Sequence, residues 1–354
     1  MKKTASAYES TKMKGVFTKY RTPLLVLLIV CLAAAPFISN NYIKRIISTI
    51  YIYCLLSMGN MIISGHTGML NMGHSAFWGT GAYISAILMT AYGMPFWVGF
   101  LAAGVGAGIA GLIISIPCLR LSTDFLSLIT TAFQYIFLTI VRNWMSMTRG
   151  PMGLTAIPPI SLFGYRFSSP IAVYYFLMVM AIIAYIILNN IVKSKFGRAM
   201  EATRDDEIGA RSVGVKTDFV KILAFVIGTV FAGFAGSLYA SYISYISPSN
   251  FVYDQSLIFM QMCIIGGLGS IPGAIIGAVF FTVMPEIIRP LAVYRVGVGG
   301  LIMIAFMLFR PQGLLGSRAF ACESGIQEKI KQRRIERQMR KSQKAAAGTS
   351  AKGD

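Results

Sequence analysis

The sequence predicts an all-α, polytopic membrane protein of about ten transmembrane or partly spanning helices, and three observations carry that expectation. Of its 354 residues, 55% are hydrophobic and only 13% charged, about half the charged share of roughly 25% in soluble domains. The apolar residues gather into runs near the ~20 residues that cross a bilayer core. The net charge of +19 is concentrated in two tails and one central polar segment. That distribution marks cytoplasmic segments of a membrane protein rather than a nucleic-acid-binding face, with some attraction to anionic membrane lipid.

In chain order, residues 1–22 form a basic cytoplasmic tail. The apolar run at 23–38 lacks a clear small-x-small cleavage site and reads as a retained signal anchor. Further spans are expected at about 46–63, 75–92, 95–116, 125–141 and 170–192. The fourth, with GFLAAGVGAGIAGL, has small residues at spacings that let helices approach closely. The loop 142–169, containing TRGPMGLTAIPPI, falls outside. Six spans return the chain to the cytoplasm at 193–221, KSKFGRAMEATRDDEIGARSVGVKTDFVK, which holds seven Lys/Arg and five Asp/Glu.

A seventh span at about 222–246 leads outward to SPSNFVYD, where Pro248 and Asn250 suit an external turn. The apolar stretch 255–288 is broken by GGLGSIPG at 266–273. It reads as two short spans, a re-entrant hairpin or one interrupted span, and a last run covers 291–309. Charge decides the parity. With two segments, 25 of the 32 Lys/Arg lie inside; with one, the split is 16 to 16. The positive-inside rule selects two, or a hairpin of the same parity, with both termini cytoplasmic. The basic tail 310–354 is poor in apolar residues beyond about 320. A surface helix over 326–339 and disorder elsewhere are expected there.

Several chemistries are missing. The five cysteines are scattered without CxxC spacing, so neither a disulfide framework nor a metal site is expected. No acid sits mid-span, and the two histidines, His66 and His74, lie in the glycine-rich segment between spans. An ion-coupled carrier normally places ionisable groups inside the membrane. The nearest approach to a phosphate loop, GARSVGVKT, has its lysine one place late and no strand before it. The chain therefore is not expected to be an enzyme and needs no cofactor of its own. Energy for active transport would enter through a partner, and the polar island is the natural docking point.

Five segments, GHSAFWGTGAY (73–83), TRGPMGL (148–154), GRAMEATRDDEIGARSVGVKTDFVK (197–221), LAFVIGTVFAGFAGSLYA (223–240) and IIGGLGSIPGAIIGA (264–278), resemble the permease subunits of branched-chain amino-acid ABC importers, LivM type. The resemblance spans roughly 40–315. It implies a subunit of the bacterial cytoplasmic (inner) membrane that moves branched-chain amino acids by alternating access. It also implies two cytoplasmic ATPase subunits that consume ATP, a homologous companion permease and an extracytoplasmic substrate-binding protein.

In such importers an EAA-type helix of the permease docks into the ATPase. Glu207, Ala210 and Gly214 match that pattern, with Gly209 or Arg211 at the second alanine position. Arg204, Asp205, Glu207 and Arg211 are candidates for pairing across the interface, and Gly214 for the left-handed turn ending the helix. His74, Ser75, Gly79 and Gly81 line or gate a pathway, or His74 caps a helix or bonds a neighbouring span. Gly150 and Gly153 belong to TRGPMGL, where Arg149 replaces an expected glycine; they serve substrate delivery or a tight turn. Gly266, Gly267 and Gly269 break a helix either along a pathway or in a hairpin turn. Two other readings share some of these features: a urea or amide importer permease, and a stand-alone facilitator or secondary transporter. A membrane scaffold anchored through the basic tail is a third class, which glycine-rich span interiors disfavour.

Overall fold

The computed structural model describes residues 40–118, 123–162, 165–167 and 169–287, together with 300, 304, 308, 313 and 314. The expected anchor at 23–38 and the tail beyond 314 lie outside the described residues. The last apolar run is described only at residues 300, 304 and 308.

Helix α1 (Asn41–Asn60) continues into a π-helical turn, Met61–His66. Next come α2 (His74–Ala91), α3 (Phe96–Cys118), α4 (Thr123–Asn143) and the single turn α5 (Met145–Thr148). A 3₁₀ turn at Gly150–Met152 leads to the two-residue strands β1 (Leu154–Thr155), β2 (Ser161–Leu162) and β3 (Tyr165–Arg166). Helix α6 (Pro170–Lys193) is followed by two short polar helices, α7 (Lys195–Asp205) and α8 (Glu207–Ser212). After them come α9 (Thr217–Ile243), β4 (Tyr245–Ile246), a 3₁₀ turn at Pro248–Phe251, α10 (Tyr253–Gly266) and α11 (Ile271–Ile287).

Five described helical segments are long and apolar enough to span a bilayer: Asn41–His66, Phe96–Pro117, Phe125–Asn143, Pro170–Lys193 and Thr217–Ile243. The protein is thus a mostly helical, polytopic membrane protein. The outward faces of α3 and α6 expose Leu101, Val105, Ile109, Val179, Ile183 and Ile186. Exposed side chains of that kind on helices this long fit lipid contact, not water.

Helix α9 runs through the middle of the bundle against α1, α2 and α3. Its small residues set how close the backbones come. A Cβ placed on Gly81 of α2 would lie 2.5 Å from the carbonyl oxygen of Gly233 on α9. On α1, a Cβ at Gly59 would lie 2.8 Å from the carbonyl oxygen of Gly228. Only glycine allows these crossings, and in lipid such close packing replaces the hydrophobic drive between helices. A polar pair pins the α2–α9 seam, where the hydroxyls of Ser85 and Ser237 are 2.7 Å apart, and another joins α1 to α6, where Tyr51 donates to Tyr174 at 3.0 Å.

Helix α2 covers the residues of the expected third span but is not among these five, and its residues from His74 to Ala86 are mostly buried within the bundle. It is enclosed by α3, α4, α9 and α10. Trp78 sits among Tyr239, Phe251 and Phe259 at centroid distances of 4.8, 4.6 and 5.5 Å. Strand β1 pairs antiparallel with β4, joining the loop after α4 to the end of α9.

The broken stretch is a pair of helices, not one interrupted span. Helices α10 and α11 fold back on each other, and a Cβ on Gly266 would collide with the Gly273 carbonyl. Gly267 (φ +107°) and Gly269 (φ +80°) make the turn. The 14 residues of α10 extend about 21 Å, short of the ~30 Å core.

Candidate coupling site

The polar island folds into a compact hook at one end of the bundle. Ser194 leaves α6 in extended conformation and caps α7, its Oγ accepting from the amides of Phe196 (3.1 Å) and Gly197 (3.5 Å). Asp206, also extended, breaks the chain between α7 and α8 and caps α8 by accepting from the Gly209 amide at 3.0 Å. Such caps satisfy amide donors that a helix start leaves unpaired. At the other end Gly214 has φ +88°, and the Val215 amide donates to Ala210 O at 3.0 Å, closing the helix with a left-handed turn. Thr217 then starts α9, so the last five residues of the island belong to that span.

One face of the hook is tied to the bundle by charge. Glu207 receives Lys221 Nζ at 2.6 Å and Arg211 Nη2 at 3.2 Å. Arg211 also donates to Thr217 Oγ1 at 2.7 Å and to Asp218. Lys221 is only 15% exposed, so the α8–α9 link closes around a partly desolvated charge pair, which is stronger than a surface pair. Ala210 is buried against the bundle. Arg204, with its side chain only 7% exposed, donates to Asp205 Oδ1 at 2.8 Å and to the Gly65 carbonyl at 3.0 Å. Glu201 lies 3.5 Å from His66 Nδ1. That contact, ahead of the charge of Arg204, holds the Glu201 carboxyl below the usual carboxylate range.

The opposite face is open. Ile208 is 83% and Val213 78% exposed, and Asp205, Ser212 and Gly214 are exposed beside them. Two large aliphatic side chains thus stand exposed on α8 and its C-cap, opposite the ion pairs that tie the hook to α9. Sequence reasoning singled out the charges of this helix and missed its two aliphatic residues. Their signal was available in EIGARSVG, where Ile208 and Val213 interrupt a polar run without a helical stripe to join. Of the six residues expected to meet a partner, only Asp205, Arg211 and Gly214 are exposed. Arg204 and Ala210 face inward, and Glu207 is half-buried in the brace.

The other candidate residues fall into three separate places. His74 and Ser75 begin α2 deep in the bundle. His74 does not cap that helix; its Nε2 donates to Leu56 O on α1 and its Nδ1 accepts from Asn71, both at 3.1 Å. The Ser75 amide donates to Ser256 Oγ on α10 at 2.9 Å. Gly79 packs against Phe137 and Phe251, and Gly81 against Gly233. Gly150 (φ +55°) and Gly153 (φ +74°) form the 3₁₀ turn beside the β1–β4 pair. Gly266, Gly267 and Gly269 make the α10–α11 turn, and Gly269 lies against Gly65, next to the hook. Among the described residues no group of His, Cys, Asp and Glu is placed to hold a metal.

Comparison with known proteins agrees with this architecture. The family described as branched-chain amino acid transport system / permease component matches residues 42–309. The high-affinity branched-chain amino acid transport system permease protein LivM of Escherichia coli K12 is 32% identical over 314 residues, covering 82% of this chain and 74% of LivM. LivH of Salmonella typhimurium is 30% identical over 289 residues, covering 75% of this chain and 91% of LivH. BraD of Pseudomonas aeruginosa is 23% identical over 296 residues, covering 78% and 96%. The match over 42–309 and the identity to LivM place the chain in this group: it belongs to the family of branched-chain amino acid transport system permease components.

Proposed function

We propose that this chain is the membrane-spanning permease subunit of an ATP-driven importer of branched-chain, apolar amino acids. The observation that carries the reading is the α7–α8 hook, with Ile208 and Val213 exposed on a helix braced from behind. Two cytoplasmic ATPase subunits supply the energy, one of them gripping this face. ATP binding draws them together, and the hook passes the movement to α6 and α9, which opens or closes the pathway by alternating access.

A homologous companion permease completes the translocator. Identity of 30% to LivH alongside 32% to LivM supports descent from a common permease, the usual origin of a paired subunit. An extracytoplasmic binding protein delivers substrate near the Gly150–Gly153 turn. The complex sits in a bacterial inner membrane, with about ten crossings or near-crossings and both termini in the cytoplasm. This chain hydrolyses no ATP and carries no cofactor.

The test is Ile208→Asp combined with Val213→Asp. Both side chains are largely exposed, so insertion and thermal stability should be unchanged. The ATPases should fail to co-purify with the permease, and uptake should collapse. Normal co-purification together with normal uptake would reject docking at this face. Uptake by the reconstituted complex, challenged with competing amino acids, identifies the substrate.

A further inference from the structure

The π-helical turn Met61–His66 at the end of α1 is buried throughout and is held from two sides. From one side α7 reaches it. Arg204 Nη1 donates to the Gly65 carbonyl at 3.0 Å, while its Nε and Nη2 are steadied by Asp205 Oδ1 at 2.9 and 2.8 Å. One turn earlier on α7, Glu201 Oε1 lies 3.5 Å from His66 Nδ1. Beyond the turn, Gly68 (φ +72°) lets the Arg204 stem lie on the backbone; a Cβ there would be 2.9 Å from Arg204 Cγ.

From the other side the α10–α11 turn presses on the same residue. A Cβ on Gly65 would lie 2.7 Å from the Gly269 amide nitrogen. Gly65 therefore stands between the hook and the turn of the broken helix, with backbone against backbone on the Gly269 side.

Single π turns are less stable than the α-helix they interrupt and concentrate at functional sites. This one aims the Gly65 carbonyl at the only charged side chain of α7 that is nearly fully covered. A charge-assisted bond to a backbone carbonyl, in tightly packed surroundings, transmits displacement with little slack.

We infer that Arg204 is a positioning residue that locks α7 to the π turn, so that movement of the hook reaches the Gly267–Gly269 turn through Gly65. The inference rests on α8 being the docking element. Glu201, 3.5 Å from His66 Nδ1 with no hydrogen bond between them, sits beside the lock without adding a second bond. The α10–α11 turn, not α9 alone, then receives the stroke.

The experiment separates this role from docking. In the reconstituted complex, Arg204→Ala should keep its ATPases bound and hydrolysing ATP while uptake falls about tenfold or more, as loss of a charged hydrogen bond to a buried acceptor allows. A covalent link should replace the lost one. A Cβ on Gly68 would stand 3.7 Å from Arg204 Cβ, inside the ~3.5–4.5 Å range of disulfides. The pair Gly68→Cys/Arg204→Cys should be uncoupled when reduced and recover uptake when oxidised; Gly68→Cys alone should respond to neither treatment.

Three results would overturn the inference: unchanged uptake in Arg204→Ala, loss of the ATPases from Arg204→Ala, or a fully cross-linked pair that stays uncoupled. If instead the Ile208→Asp/Val213→Asp variant retains its ATPases and its uptake, the docking reading fails on its own account. The Arg204 results would still report whether the lock matters to transport.

Discussion

Replacing Gly81 by alanine adds a single methyl group at the crossing of α2 and α9. That methyl would lie 2.5 Å from the Gly233 carbonyl oxygen and 2.8 Å from its carbon, against an ordinary C···O approach of about 3.3–3.6 Å. The obstacle is backbone, which has no rotamer to escape into, so the two helices must part by roughly 0.8–1.1 Å. Overpacking of this kind costs about 1–3 kcal/mol. Alanine's better helix propensity offsets about 1 kcal/mol of it.

Gly99 of α3 supplies the control. A Cβ there meets Ser85 Oγ at 3.2 Å, Met89 Cγ at 3.3 Å and the Ser85 carbonyl oxygen at 3.4 Å, so a shift of a few tenths of an ångström makes room for it. Gly99→Ala should thus be neutral or stabilising by up to about 1 kcal/mol. In thermal unfolding of the detergent-solubilised protein, Gly81→Ala should melt clearly below wild type and Gly99→Ala at or above it. Equal melting of the two variants, or a higher Tm for Gly81→Ala, would refute the idea that backbone contact at Gly233 sets the helix spacing.

Glu207→Lys should unhook α8 from α9, because it places a cation against Lys221, which is only 15% exposed, and removes one of the three acceptors of Arg211. The direct electrostatic loss is about 1 kcal/mol after solvent screening of the more exposed partners. Insertion should therefore survive while ATP-coupled uptake is lost; normal uptake with normal ATPase retention would count against the brace. A cysteine introduced at Ser350 should react with an impermeant thiol reagent only from the cytoplasmic side. Labelling from outside would rule out the proposed ten-segment parity.

The brace explains why part of the site was legible in advance and part was not. The charge run at 193–221 identified a segment that cannot sit in lipid, and its glycine at 214 announced a helix stop that the structure shows at φ +88°. The direction each charged side chain takes could not be read in the same way. Arg204 and Arg211 are seven residues apart in one polar stretch, yet the first turns inward to Gly65 and the second lies along the surface between Glu207 and Asp218. Asp206 separates them by breaking the helix, and that break rotates α8 relative to α7. A surface of two aliphatic residues on so short a helix leaves no periodicity to detect.

Sequence alone determined the class of molecule, a mostly helical polytopic membrane protein, because hydrocarbon thickness and unpaired backbone groups admit few solutions for such apolar runs. It also marked 193–221 as a segment too polar for lipid and 266–273 as a break in the apolar stretch that follows. Tertiary structure decided what those pieces touch. It buried α2 inside the bundle, folded 253–287 into a helical pair, and set Gly65 between Arg204 and Gly269. The physical reason is that hydropathy fixes whether a residue meets lipid or water. Which backbone a glycine admits, and which carbonyl an arginine finds, depend on neighbours more than a hundred residues away.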